Sequence, residues 1–167
     1  MGSRGWISTV TQQTIKLFNG LVMNLLIPDQ IPRFWEVIKY AAVNAGYVED
    51  EYVPRFLNRL LYLLLSGKSQ CFIRLNEERR LQMVLVTTII NDPLRDEKTL
   101  FIAYVYSFEK ASQGIWQADL EVLKKFAIGS GCKYITTLVM NERAAGLCEK
   151  AGMTLRSWNY QSEVGGV

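Results

Sequence analysis

Side chains that could carry chemistry are few in this sequence. It has no histidine, which removes the commonest general base and the commonest metal ligand together. Its three cysteines, Cys71, Cys132 and Cys148, stand far apart with no CxxC spacing. Neither a zinc site nor a disulfide framework is expected from them, nor any other metal site, and a reducing compartment fits. Tyr104 and Tyr106 fall in one strand-like run, where alternation sends both to the same face. Glu77-Glu78 beside Arg79-Arg80 reads as a solvated turn, and Lys124-Lys125 as the outer side of an amphipathic helix. Trp6, Trp35, Trp116, Trp158 and Tyr160 are packing residues first. Any exposed subset of them would mark a protein–protein surface, where such rings act as anchors.

Composition narrows the class. Of 167 residues, 49% are hydrophobic and 21% charged, which excludes a disordered chain and suits one domain with its own core. A net charge of +3 without a basic run or stripe gives no tail for nucleic acid, and none is expected to be bound by direct readout. The longest apolar stretches, Leu60–Leu65 and Leu81–Ile90, fall short of the ~20 residues that span a bilayer. The opening Met-Gly-Ser-Arg-Gly-Trp lacks the apolar region of a signal peptide, and Trp6 stands where myristoylation needs Ser or Thr. The expected setting is the cytoplasm or the inside of a virus particle, without secretion or a membrane.

The elements that must position these residues follow from periodicity. Residues 1–20 form an N-terminal extension, within which Ser8 to Phe18 reads as a short helix or a strand, and residues 21–167 a single domain. Leu21 to Ile27 reads as a strand ended by Pro28. Asp29 to Asn44 is a helix, capped by Asp29 or Gln30, with Phe34, Val37, Ile38, Ala41 and Ala42 along one face. Val53 to Leu65 is a second, with Phe56, Leu57, Leu60, Leu61, Leu64 and Leu65 as a wide apolar face and Ser66-Gly67 as its stop. Gln70 to Leu75 and Leu81 to Ile90 make a hairpin whose second strand, nearly all apolar, is covered on both faces. A strand from Thr99 to Phe108, a helix from Ile115 to Ile128, a strand from Tyr134 to Met140 and a helix from Glu142 to Lys150 follow. Thr154 to Val164 closes the order as a last strand. The fold class is α+β, a mostly antiparallel sheet with one crossover, flanked by helices.

The stretch Asn141-Glu-Arg-Ala-Ala-Gly-Leu-Cys148-Glu-Lys-Ala-Gly152-Met153 resembles the C-terminal pattern of the GNAT superfamily of N-acetyltransferases: strand, Asn, helix, a Tyr, then Gly-Phe. Asn141, Ala144, Leu147, Glu149, Lys150 and Gly152 fall in register with it, while Met153 replaces the Phe. Gly131 stands where the family has a glycine before the preceding strand, and the element order matches over roughly residues 21 to 164. The resemblance implies an acetyl-CoA site at the loop opening the central helix, where the family has Arg/Gln-x-x-Gly-x-Gly/Ala. Small residues there let backbone N–H groups meet the pyrophosphate at a helix N-terminus. The matching residues are Ala111-Ser112-Gln113-Gly114-Ile115-Trp116. Gln113, Gly114, Ile115 and Asn141 would then touch the cofactor.

Three features of the family, the cofactor loop, the tyrosine acid and the strand carboxylate, are departed from together. Ala111 and Trp116 replace the loop's Arg/Gln and second small residue, and an indole there would block the phosphates or force the loop aside. On the bland reading Gly114 is a turn glycine and Trp116 a core or interface aromatic. Cys148 stands where the family has its tyrosine acid, and reads first as a small buried hydrophobe. The strand facing the substrate amine carries no carboxylate; Glu109 follows it as a solvated loop charge. Tyr104 and Tyr106 would face the substrate groove, as packing residues before acids. The expectation is therefore a catalytically degenerate GNAT-like domain, with no catalytic residue and no cofactor. Its role would be structural, among protein partners in a homo- or hetero-oligomeric assembly such as a bacteriophage virion. The alternative is an active N-acetyltransferase moving an acetyl group from acetyl-CoA to an amine, with Cys148 or a tyrosine as acid. A third reading is an acyl-CoA sensor that binds without chemistry.

Overall fold

The computed structural model describes residues 23–45, 48–110 and 112–156. The N-terminal extension, including the element read over Ser8 to Phe18, lies outside them, as do Trp6, Trp158 and Tyr160. Strand β1 (Asn24–Leu26) leads through a 3-10 turn at Pro28–Gln30 into helix α1 (Ile31–Asn44), whose second residue is Pro32. Proline suits this first turn because its missing N–H has no intrahelical partner to lose. Gln30, one of the two expected residues, holds the cap position, but its side chain makes no capping bond to this helix and instead accepts the Ile27 N–H at 3.0 Å. Helix α2 (Val53–Leu65) ends at Gly67, which takes the left-handed φ of +71° that few other residues adopt.

Strands β2 (Ser69–Leu75), β3 (Leu81–Asp92) and β4 (Glu97–Ser107) form an antiparallel meander on β1. Helix α3 (Gln113–Gly129) then crosses over to β5 (Tyr134–Thr137), which pairs with β4 in parallel, and helix α4 (Glu142–Lys150) follows. The five strands lie in the order β1-β2-β3-β4-β5. Helices α1 and α2 cover one face of the sheet, α3 the other. As the apolar run of β3 implies, Leu81 to Thr87 are buried throughout. Several expected boundaries shift by one to three residues: among the described residues β1 keeps only Asn24–Leu26, β4 starts at Glu97 and ends at Ser107, β5 stops at Thr137 instead of Met140, and Thr154 to Arg156 are not strand, the rest of that segment lying outside the described residues.

Two bulges decide what faces where. Arg74 pairs with Met83 and Leu75 with Leu81, leaving Gln82 as an extra residue in β3. Val86 pairs with Tyr104 and Thr87 with Ile102, leaving Ala103 extra in β4. A bulge reverses the alternation beyond it. Leu100 and Ile102 therefore face α3, whereas Tyr104 and Tyr106, at the same parity, face α1 and α2. Among the described residues no helix is long and apolar enough to cross a membrane.

Candidate functional site

Strands β4 and β5 stay paired from Thr99↔Tyr134 to Ile102↔Thr137 and then part, one residue before the bulge at Ala103. The Thr137 hydroxyl donates to the Ile102 carbonyl at 3.3 Å, closing the last pair. Beyond it the edge of β4 has no strand partner on this side among the described residues. Phe108 N–H donates to Gln82 O across on β3, at 2.8 Å. Alternation therefore turns the N–H groups of Val105 and Ser107 the other way, into the gap.

A groove of about 630 Å³ fills this gap. Leu85, Ile102 and Val105 line it from the sheet, Trp116, Asp119 and Leu123 from α3, and Leu147 and Cys148 from α4. Lys110 and Arg143, both exposed, stand along it as cations.

The N-terminus of α3 opens beside Lys110. Ser112 caps it in extended conformation, but its side chain makes no capping hydrogen bond. The first N–H groups of a helix have no partner within the helix itself, and those of Gln113 and Gly114 stand in this first turn. The N–H groups of Ile115 and Trp116 reach the Ser112 carbonyl at 3.2 and 3.4 Å. Gly114 is not the turn glycine expected: it lies inside the first helical turn, and a Cβ there would meet nothing within 4 Å. Trp116 lines the groove and is the core aromatic expected. Its half-buried indole packs into the core beneath α3, with its ring centre 5.6 Å from the Arg74 guanidinium carbon.

Asn141 begins α4, its side-chain oxygen accepting the Ala144 N–H at 2.8 Å. The helix so fixed carries Cys148 two turns along to the groove. Burial, then the neighbouring Glu149 charge, push the half-buried thiol above its ordinary range, so it keeps its proton at neutral pH.

Other candidates are placed elsewhere. Tyr104 borders the groove, but its ring is buried among the residues facing α1 and α2, its hydroxyl without a partner and held well above the tyrosine range by burial. Tyr106 stands edge-on to Tyr40 and Phe108, with ring centres 5.9 and 5.0 Å away. The bulge at Ala103 thus turns the Tyr106 ring from the groove and packs the Tyr104 ring toward α1 and α2 at its border. Glu109 is not simply a solvated charge. Its two oxygens accept from the Asn76 amide at 3.1 and 3.2 Å, and Arg80 lies 3.9 Å away.

Sequence reasoning passed over a buried polar cluster beside this groove. Arg74 on β2 is 2% exposed and Asp119 on α3 is 4% exposed. The Arg74 Nη1 donates to Asp119 Oδ2, and its Nε donates to Gln82 Oε1 at 2.9 Å. Gln82 reaches it because it is the bulged residue, turned to the α3 face. Burial pulls the guanidinium down to about 10, which leaves it charged at neutral pH. The signal was available: Arg74 occupies the inward parity of Phe72, and Asp119 lies among Trp116, Leu120 and Leu123 on the inward stripe of its helix.

No family model and no curated protein matches the chain by sequence. By structure it is similar to many solved chains. A ribosomal-protein-alanine N-acetyltransferase from Brucella melitensis biovar Abortus 2308 superposes with a TM-score of 0.61 at 15% identity, over 84% of this chain and 97% of that one. An aminoglycoside acetyltransferase from an uncultured soil metagenomic sample, solved with sisomicin, gives 0.63 at 14% identity, over 86% and 95%. A Clostridium acetobutylicum protein described as a predicted acetyltransferase and solved with acetyl-CoA gives 0.66 at 13% identity, over 85% and 95%. Element order, the crossover into a parallel fifth strand and these likenesses agree: the chain has the fold of the GNAT N-acetyltransferases.

Proposed function

We propose that the groove between β4 and β5 takes an acyl-coenzyme A thioester and that the chain passes its acyl group to an amine. The observation that carries this reading is the groove itself, opened where β4 and β5 part and lined by Trp116 and Asp119 of α3, with Lys110 on the chain leading into that helix. The first-turn N–H groups of α3 at Gln113 and Gly114, with Lys110 and Arg143 as cations, suit the phosphates of coenzyme A. The edge N–H groups of Val105 and Ser107 suit the carbonyl oxygens of the extended pantetheine arm and of the thioester. The thioester supplies an activated acyl group when bound. Edge N–H groups favour the negative charge that develops on the carbonyl oxygen as an amine attacks. Cys148, protonated at neutral pH, stands along the groove as a proton donor for a departing thiolate.

A second reading, binding without turnover, draws on the carboxylates. Both that border the groove are engaged, Glu109 by Asn76 and Arg80, Asp119 by Arg74. Neither is free to take a proton from an ammonium substrate. Such a domain would serve as a sensor or as a scaffold in a larger assembly, a virus particle included. Calorimetric titration of acetyl-CoA into the full chain, followed by an acyl-transfer assay over a panel of amines, separates the readings. The first predicts saturable binding at micromolar ligand and thiol release with an amine; absence of heat at millimolar ligand rejects it. Binding without thiol release from any amine favours the second.

A further inference from the structure

Trp116 lies two residues beyond Gly114, where an outward-turned indole would stand over the open first turn of α3. Instead its ring lies against Arg74, and two features fix it there. Asp119 follows Trp116 by three residues, so both project from the same side of the helix, and Asp119 accepts from Arg74 Nη1. Arg74 is itself fixed by Gln82, while its Nη2 is buried without a hydrogen-bond partner. The indole face is the electron-rich surface that this guanidinium meets. A buried ion pair contributes little to stability compared with apolar residues of the same volume, so its place beneath the groove wall calls for a different account.

We infer that Arg74 and Asp119 form a latch that holds Trp116 against the sheet and so keeps the entrance of the groove open to its ligand. Arg74 and Asp119 are positioning residues here, acting through Trp116; the inference rests on the groove being an acyl-CoA site. Without the pair, the indole loses its cationic partner and populates rotamers that fill the space beside Gly114. The ligand then competes with the side chain, and its apparent affinity falls by the fraction of molecules left open.

The test uses the full chain with Trp6, Trp35 and Trp158 replaced by phenylalanine, so that fluorescence reports Trp116 alone. Arg74→Met/Asp119→Leu removes both charges together and leaves no lone buried ion. Arg74→Gln/Asp119→Asn also removes the cation and its counter-charge while keeping polar side chains, and stands in should the first double variant not fold. In either, acrylamide quenching of Trp116 is expected to rise and coenzyme A affinity to fall about tenfold. Adding Trp116→Ala is expected to restore that affinity, a rescue that a merely structural defect would not show. Unchanged quenching, or a binding loss that Trp116→Ala does not restore, overturns the latch. If the parent chain binds no coenzyme A, the acyl-CoA reading itself fails, while the quenching comparison still reports on the latch.

Discussion

On the face of the sheet covered by α1 and α2, Cys71, Ile73, Val84 and Val86 meet Ile38, Ala41 and Leu64, all deeply buried. On the α3 face Phe72, Met83 and Leu85 share the interior with Arg74, Gln82 and Asp119, and the packing gives way to a groove. The first face is an apolar core of the kind that holds a fold together. The second spends part of its area on buried polar groups and open volume, neither of which maximises stability. The difference teaches that stability and binding are divided between the two sides of one sheet. Substitutions on the α1–α2 face should change stability alone, and those on the α3 face should change binding as well.

The largest expected effect comes from leaving a charge alone on the α3 face. Arg74→Met strands the Asp119 carboxylate and should cost about 3–5 kcal/mol in urea denaturation, whereas Arg74→Met/Asp119→Leu should fold nearly as stably as the parent. A single variant as stable as the double would show that the pair is not buried as described. On the other face, Ile38→Ala should cost about 2–5 kcal/mol with coenzyme A affinity unchanged in calorimetry; a matching loss of affinity would break the division. Gly114→Trp fills the open first turn of α3 from a position where a side chain meets nothing. It should lower affinity at least about tenfold with little change in melting temperature. Asn141→Ala removes a cap at the start of α4 and should cost about 1 kcal/mol, read in thermal melts.

The smallest effect at neutral pH belongs to the buried acids of the α1–α2 face. Burial raises Cys71 above its ordinary value of 9.0 and raises Tyr104 likewise. The folded state keeps protons that the unfolded chain releases, so stability is complete below pH 9 and falls as pH rises above it. Denaturation midpoints from pH 7 to about pH 10.5 should show this fall, and Cys71→Val should lessen it. A midpoint that rises with alkali would contradict the burial of these groups.

Helices α2 and α4 were legible to the residue, because apolar steps of three and four run between clear start and stop signals: Pro54 and Ser66-Gly67 for one, Asn141 and Gly152 for the other. The crossover and the doubly covered β3 were legible for similar local reasons. What was not legible depended on events in another strand. Leu138 to Met140 look like strand, yet β5 ends at Thr137 because β4 bulges at Ala103 and turns away. The same bulge turns Tyr104 and Tyr106 toward α1 and α2, against simple alternation. Arg74 and Asp119 each stood at an inward position, but they lie 45 residues apart, and no local pattern pairs them. Trp116 was legible as a core aromatic, but its contact with Arg74 was not, because that residue lies on β2, far from it in sequence.

The measurement that tests the acyl-CoA reading most directly is an amide ¹H–¹⁵N map of the full chain with coenzyme A added. Shifts concentrated at Val105, Ser107, Gly114 and Ile115, saturating together, are the result expected of a ligand lying along the parted strands with its phosphates at α3. Shifts scattered over the outer surfaces of α1 and α2, or none at saturating ligand, would contradict it.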